Sequence, residues 1–393
     1  MPADSICSAT SDQAVVGQRF IHLGLGWIGD RGGGLERYQD GICRAHSVMG
    51  HHVEAWVQSR APIELDVGYS VRAYASPTQP RREKLIKLRE LANHNFTKHD
   101  FTFVSHHASV SSAVIGKLHG IPHVVHFQGP WADEAAVEGA PSWKTWLQRR
   151  AERKAYRSAD RIITLSEAFA RLVVDRYGVH PDRVRVVPGG IDSAKADPGL
   201  SRREARERLG WPNDRPIVLS VRRLVRRVGI DVLIEAAKEI VRHHPDLLLL
   251  IGGTGPLRQE FECRIKDLDL EHHVRLLGFV RDNDLPIAYA AADYSIVPTQ
   301  SLEGFGLVTI ESMAAGTPSI VTPVGSLPEI LSPLSRDLVL SGHHKDEIAV
   351  GLTAILRGDT HTPSQSFCRK YVRENYDWTV IGPKVLSVYK ESL

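Results

Sequence analysis

The strongest constraint on the fold is a pattern that runs twice along the chain. Short apolar runs bounded by turn residues alternate with longer helix-forming stretches, first over residues 19–187 and again over 216–321. In the first series, strands are expected at 19–23, 53–57, 71–74, 101–105, 123–127, 161–165 and 183–187, with helices from Leu35 and over 81–92, 111–118 and 142–157. In the second, strands at 216–221, 247–251 and 274–277 surround an amphipathic helix after Gly229. Such alternation predicts parallel strands joined by helical crossovers, which is an α/β class. Residues 197–214 are rich in charge and carry Pro198, Gly210 and Pro212, so they read as the linker between two domains, and 393 residues give room for both.

Composition removes several function classes. A net charge of +3 is too small to argue for nucleic acid. No apolar run approaches the ~20 residues needed to span a bilayer. The first 17 residues lack the basic and apolar regions of a secretory signal and read as a disordered tail, so a cytoplasmic location is expected. Cys7, Cys43, Cys263 and Cys368 are widely spaced, which suggests neither a zinc site nor a disulfide framework. Many of the 19 histidines come as doublets such as His51-His52 and His106-His107, and neighbours in sequence point apart.

Gly24, Gly26 and Gly29 form a G-x-G-x-x-G, the basis for an alternative function as an NAD(P)-binding oxidoreductase. The context opposes it. A dinucleotide loop passes from its third glycine straight into a helix, whereas Asp30 to Gly34 intervene here, and the second strand is followed by Gln58 rather than an acidic residue. Gly33 and Gly34 are better suited to letting the backbone approach a ligand across a cleft.

The stretch TQSLEGFGLVTIESMAAGTPS (299–319) carries more chemistry. Glu303, Gly304, Phe305, Gly306 and Leu307 lead into a helix expected to begin near Phe305, with Glu311 about a turn and a half inside. Unpaired amides at such a helix start suit phosphate, and the two carboxylates suit hydroxyls. A sugar nucleotide offers both.

This spacing resembles the Glu-seven-residues-Glu motif of the retaining glycosyltransferases of family four, which have the GT-B fold. The flanks AAADYSIVPTQ and VTPVGSLPEI resemble the family's segments on either side. The loop GGLER resembles its glycine loop near the donor. RRLVRRVGIDVLIEA resembles the segment whose Arg and Lys hold the donor diphosphate. Arg223 falls on the Arg position, Val228 replaces the Lys, and one of Arg226 and Arg227, carried here as Arg227, is expected to substitute. Gly253 lies in a "G-x-G-P"-like strand end, and Phe279 with Val280 fall where the family's backbone meets the nucleobase. Two further departures are Gln128, where the family usually has His beside the donor sugar, and Gly189, where it has Asn. Asp282-Asn283-Asp284 is a formal D-x-D but opens a helix, where Asp is expected as a cap.

The resemblance implies two Rossmann-like domains, 18–197 on the acceptor side and 198–375 on the nucleotide-sugar side, with a last helix (376–393) crossing back onto the first. It also implies a metal-independent, retaining hexosyltransferase with no cofactor beyond its nucleoside diphosphate sugar donor. Arg223 would neutralise the leaving diphosphate, Glu311 grip the ribose, Glu303 contact the donor sugar, and Gln128 lie beside the sugar or phosphate. The acceptor would be a sugar, lipid-linked or small-molecule hydroxyl in bacterial polysaccharide or glycolipid synthesis. The same residues would also serve a sugar-nucleotide epimerase or a catalytically weak sugar-nucleotide-binding protein. The basic segment SWKTWLQRRAERKAYR (142–157) admits two roles: an ordinary helix with its apolar stripe on the core, or a peripheral contact with the inner face of the plasma membrane.

Overall fold

The computed structural model describes residues 17–30, 32–63, 66–96 and 100–393, so the expected tail lies almost wholly outside the described residues. The first domain is built on β1 (Arg19–Leu23), β2 (His52–Gln58), β3 (Ser70–Ala75), β4 (Thr102–Ser105), β5 (His123–Phe127), β6 (Arg161–Thr164) and β7 (Val184–Val186). These pair in parallel in the order β3-β2-β1-β4-β5-β6-β7. The second is built on β8 (Ile217–Val221), β9 (Leu248–Gly252), β10 (Val274–Gly278), β11 (Tyr294–Val297) and β12 (Ser319–Val321), in the order β10-β9-β8-β11-β12. A strand such as β9 is buried along its whole length, which is why it reads as a continuous apolar run rather than an alternating one.

In each sheet the strand order reverses once, between β1 and β4 and between β8 and β11. Loops leaving neighbouring strands there turn to opposite faces and open a crevice at the C-terminal strand ends, where ligands of open α/β sheets bind. Gly33-Gly34 and His106 lie beyond the ends of β1 and β4; Arg223 and Glu303 lie beyond those of β8 and β11.

The chain links the domains twice, side by side. Ile191 and Asp377 form a parallel bridge, with Ile191 N–H donating to Tyr376 C=O (2.8 Å) and Trp378 N–H to Ile191 C=O (3.0 Å). The last helix, Trp378–Lys390, then packs on the helix Gly34–Val48, where His46 Nε2 lies 3.1 Å from Gly382 C=O.

Three local expectations are corrected. Residues 111–118 form no single helix: a turn of helix at Ala108–Ser111 and a 3₁₀ turn at Ile115–Lys117 replace it. The linker holds a helix, Arg202–Leu209, started by a Ser201/Glu204 capping box and anchored by Arg206, which reaches Asp293 at 2.7 Å. On Ser142–Arg157 the buried stripe is Thr145, Gln148, Glu152, Ala155 and Tyr156, while Trp143, Trp146 and Leu147 are 67%, 56% and 51% exposed. The apolar stripe faces outward.

Candidate active site

The helix expected from Phe305 begins instead at Leu307, with Gly306 as its N-cap at φ +77°, so Glu311 sits one turn in. Phe305 is buried and packs where a side chain at Gly189 would have to go, a Cβ there meeting its ring at 2.6 Å. That contact explains the glycine at this position. No side chain caps the start of Leu307–Ala314, and none caps Gly34–Val48, whose N-cap is Gly33. The two starts face each other: a Cβ at Gly34 would meet only Leu307 Cδ1, at 3.9 Å. Amides of both helices thus open toward one space, an arrangement that attracts an anion.

The Gly33-Gly34 start borders a hollow of about 620 Å³ lined by Gly33, Gly34, Gln128, His106, Arg223 and Arg227, among others, while Leu307 borders a larger one. Arg223 is exposed and forms no ion pair among the described residues. Val228 is 2% exposed in the core, so the position to which the family gives a lysine points inward here. Of its two neighbours, Arg226 turns away to Asp231 and Glu260, and Arg227 lines the hollow, 3.5 Å from Glu134 of the first domain. Two arginines therefore line the hollow with the Gly33-Gly34 start.

The two motif glutamates have different environments. Glu303 Oε2 accepts from Arg222 (2.5 Å) and from the Thr299 hydroxyl (2.9 Å), with each charged side chain 10% exposed. Burial pushes the Glu303 carboxyl up, but Arg222, Thr299 and Arg227 outweigh it and hold it below the usual range. Its loop is strained, since Leu302 adopts φ +58° without being a glycine. Glu311 Oε1 accepts from Arg37 of the first domain at 3.2 Å, and Arg37 is shared with Asp282. Burial dominates there, half an arginine does not offset it, and the Glu311 carboxyl is raised. Its Oε2 is buried without a partner. The capping role expected around Asp282 and Asp284 is absent: Asp284 makes no cap bond and Asp282 holds Arg37.

Gly253, Phe279 and Val280 meet at the ends of β9 and β10, where Gly253 N–H donates to Gly278 C=O at 2.6 Å. Phe279 is 66% exposed. The Gln128 backbone lies against Gly304, where a Cβ would be 3.0 Å from the Gln128 backbone carbonyl oxygen. At Gly26 the space is taken: Cβ atoms at Gly26 and Gly33 would run into the Glu36 carboxylate at 2.8 and 2.3 Å. Side chains of Gln39 and Glu36 fill the room over Gly24 and Gly26 that a dinucleotide would need, which disfavours the oxidoreductase.

A larger hollow, about 1170 Å³, lies toward the hinge, lined by Met49, Val67, Ile191, Leu285 and Trp378 together with Arg37 and Glu311. Size favours this one and chemistry the other, because the paired arginines and the Gly33-Gly34 turn line only the smaller. Sequence reasoning missed Arg222 as the partner of Glu303 and Arg37 as the partner of Glu311.

Residues 32–195 match the family model described as Glycosyltransferase Family 4, and residues 201–375 match Glycosyl transferases group 1. The D-inositol 3-phosphate glycosyltransferase of Acidothermus cellulolyticus is 35% identical over 246 residues, 60% of this chain and 54% of that protein. The mannosylfructose-phosphate synthase of Agrobacterium fabrum is 26% identical over 315 residues, 74% of this chain and 68% of that protein. The chain thus spans little more than half the length of the first of these relatives. Among solved structures, sucrose-phosphate synthase of Thermosynechococcus elongatus superposes with a TM-score of 0.80 at 23% identity, covering 95% of this chain and 98% of that one. Anabaena HepE in complex with UDP-glucose superposes with a TM-score of 0.76 at 17% identity, covering 95% and 99%. Both confirm the fold. With its two halves matched by the two family models, the chain belongs to the group 1, family four glycosyltransferases of the GT-B fold.

Proposed function

We propose that the protein transfers a hexose-type sugar from a nucleoside diphosphate sugar to an acceptor hydroxyl, with retention of the anomeric configuration and without a metal. The observation that carries this is the meeting of two uncapped helix starts, Gly34 against Leu307, at the edge of a hollow lined by Arg223 and Arg227. A donor bridging both hollows would set its ribose against Glu311, whose Oε2 has no partner, and its diphosphate between the arginines and the amides of Phe305, Leu307 and Gly34. Cations and amides already aimed at the leaving diphosphate stabilise the charge that builds there as the sugar departs. Glu303, held ionised by Arg222, and Gln128 would flank the sugar.

A thermal-shift panel of UDP, GDP, ADP and dTDP tests the binding step, since a ligand at 100 times its Kd stabilises the folded state by about 2.7 kcal/mol. At least one of the four is expected to raise the melting temperature by several degrees. No shift with any of them at millimolar concentration would count against a nucleotide-sugar donor.

The acceptor is proposed to be a cell-surface saccharide or lipid-linked precursor, and an exposed apolar and basic helix face supports this reading. Trp143, Trp146 and Leu147 stand out from Ser142–Arg157 beside exposed Lys144, Arg150, Arg153 and Lys154, and the Arg150 guanidinium lies 5.1 Å from the Trp146 ring centre. Apolar side chains at the acyl boundary, with each cation adding about 1 kcal/mol near an anionic surface, favour peripheral attachment. Among the described residues no helix is long and apolar enough to cross a membrane. In flotation with phosphatidylglycerol vesicles at low salt the protein is expected to rise, and a Trp143→Ser/Trp146→Ser variant to stay down. If the parent protein also stays down, the contact is not there.

A further inference from the structure

The floor of the smaller hollow holds buried histidines that the transfer chemistry above does not use. His22 on β1, His106 after β4 and His126 on β5 are 0%, 3% and 1% exposed. His106 Nδ1 lies 3.3 Å from Gln128 Nε2, and His106 Nε2 lies 3.0 Å from His22 Nδ1. The far nitrogen of His22, Nε2, is buried without a partner. The His106 ring is fixed on its other face by His126, 4.7 Å away at 21°, which is itself held between the hydroxyls of Tyr38 (2.9 Å) and Tyr389 (2.7 Å).

The orientation of the Gln128 amide sets the proton order of this line. An amide NH₂ can only donate, so His106 Nδ1 must be bare and its proton must sit on Nε2. That proton is then given to His22 Nδ1, which leaves the His22 proton on the unpartnered Nε2. Turning the Gln128 amide over would require both imidazoles to change tautomer. Burial keeps both rings neutral, lowering His106 and His22 well below the usual histidine value, with neighbouring His126, His106 and His46 adding to the effect.

We propose that His106 is a positioning residue for the transfer: taking the Gln128 NH₂ on Nδ1 and backed by His22, it keeps the Gln128 side-chain carbonyl turned into the hollow as an acceptor for a hydroxyl of the donor sugar. The proposal rests on the sugar-nucleotide reading of the hollow. It also gives His106 and Gln128 one joint function, the first fixing the polarity of the second.

Two measurements test it, and the first needs no ligand. Long-range ¹H–¹⁵N spectra of histidine-labelled protein, assigned with His106→Asn and His22→Asn, are expected to show both rings protonated at Nε2. A proton on His106 Nδ1 would overturn the proposal. The second compares a nucleoside diphosphate with its sugar ester by calorimetry, using UDP with UDP-glucose and GDP with GDP-mannose. His106→Leu is expected to weaken the sugar ester about 3- to 10-fold, the worth of one neutral hydrogen bond, and to leave the bare diphosphate unchanged. His106→Asn, whose carbonyl can replace Nδ1 as acceptor, is expected to recover most of that loss. In a Gln128→Ala background, His106→Leu should have no further effect. Equal weakening of both ligands, or a loss that persists without Gln128, would show a merely structural histidine. If the parent protein binds none of the four and neither ADP nor dTDP, the donor reading fails as well, while the spectra still decide the proton order.

Discussion

Replacing Arg223 with alanine is expected to lower kcat about 10²–10³-fold, the usual cost of removing one preorganised charge contact at a transition state, while stability stays within about 0.5 kcal/mol of the parent. The asymmetry follows from its surroundings. Arg223 is exposed on the wall of the smaller hollow and forms no ion pair among the described residues, so its removal strands no buried partner. Arg227 differs: its side chain is 16% exposed and stands 3.5 Å from Glu134, so Arg227→Ala should cost stability as well as rate. Steady-state kinetics beside a denaturant melt would separate the two. An Arg223→Ala enzyme with unimpaired turnover would contradict the role assigned to that guanidinium.

Glu303→Ala is expected to show the opposite balance, destabilising the protein by about 3–5 kcal/mol because it leaves Arg222 buried and unpaired. Glu303→Gln should cost less, since an amide oxygen can still accept from Arg222 and Thr299. Removing both charges together, as Arg222→Met/Glu303→Leu, should recover most of the stability and none of the activity. The same pair sets a pH dependence. The folded Glu303 carboxyl lies below its ordinary value, so its stabilisation is fully present above the unfolded carboxyl range, near 4.3, and is lost as pH falls through the lowered folded value. Glu311, raised by burial, has the reverse sign: its contribution is present at low pH and fades as pH rises through the folded value. Urea midpoints between pH 3 and pH 7 for the parent and Glu303→Gln would resolve these opposing slopes; a parent curve that matches the variant would remove the Glu303 assignment.

Strands are legible wherever burial on both sheet faces leaves an unbroken apolar run, as at Leu248–Gly252. The helix Arg202–Leu209 is hidden by its charge, although Ser201 and Glu204 carry the spacing of a capping box. The outward face of Ser142–Arg157 is not legible because the helix buries Gln148 and Glu152 instead of its tryptophans, against the usual partition. Partners of the motif glutamates are hidden for a topological reason. Arg222 stands 81 residues before Glu303 and Arg37 stands 274 before Glu311. Only the adjacency of β8 with β11 and the facing of the two crevices bring them together. His106 is masked in the sequence by its doublet, although only His106 reaches Gln128, while His107 lies against Ser109 and Trp131.

The packing of Trp378–Lys390 fixes an order of assembly during synthesis. The second sheet has all its strands once Val321 has been made. The first sheet has its strands far earlier, by Val186, yet His126 and His46 take partners from Tyr389 and Gly382. A chain emerging from the ribosome therefore cannot finish the domain it began with until the later domain is already out, and the amino-terminal half waits, its histidine floor open to water, for a helix still to be translated.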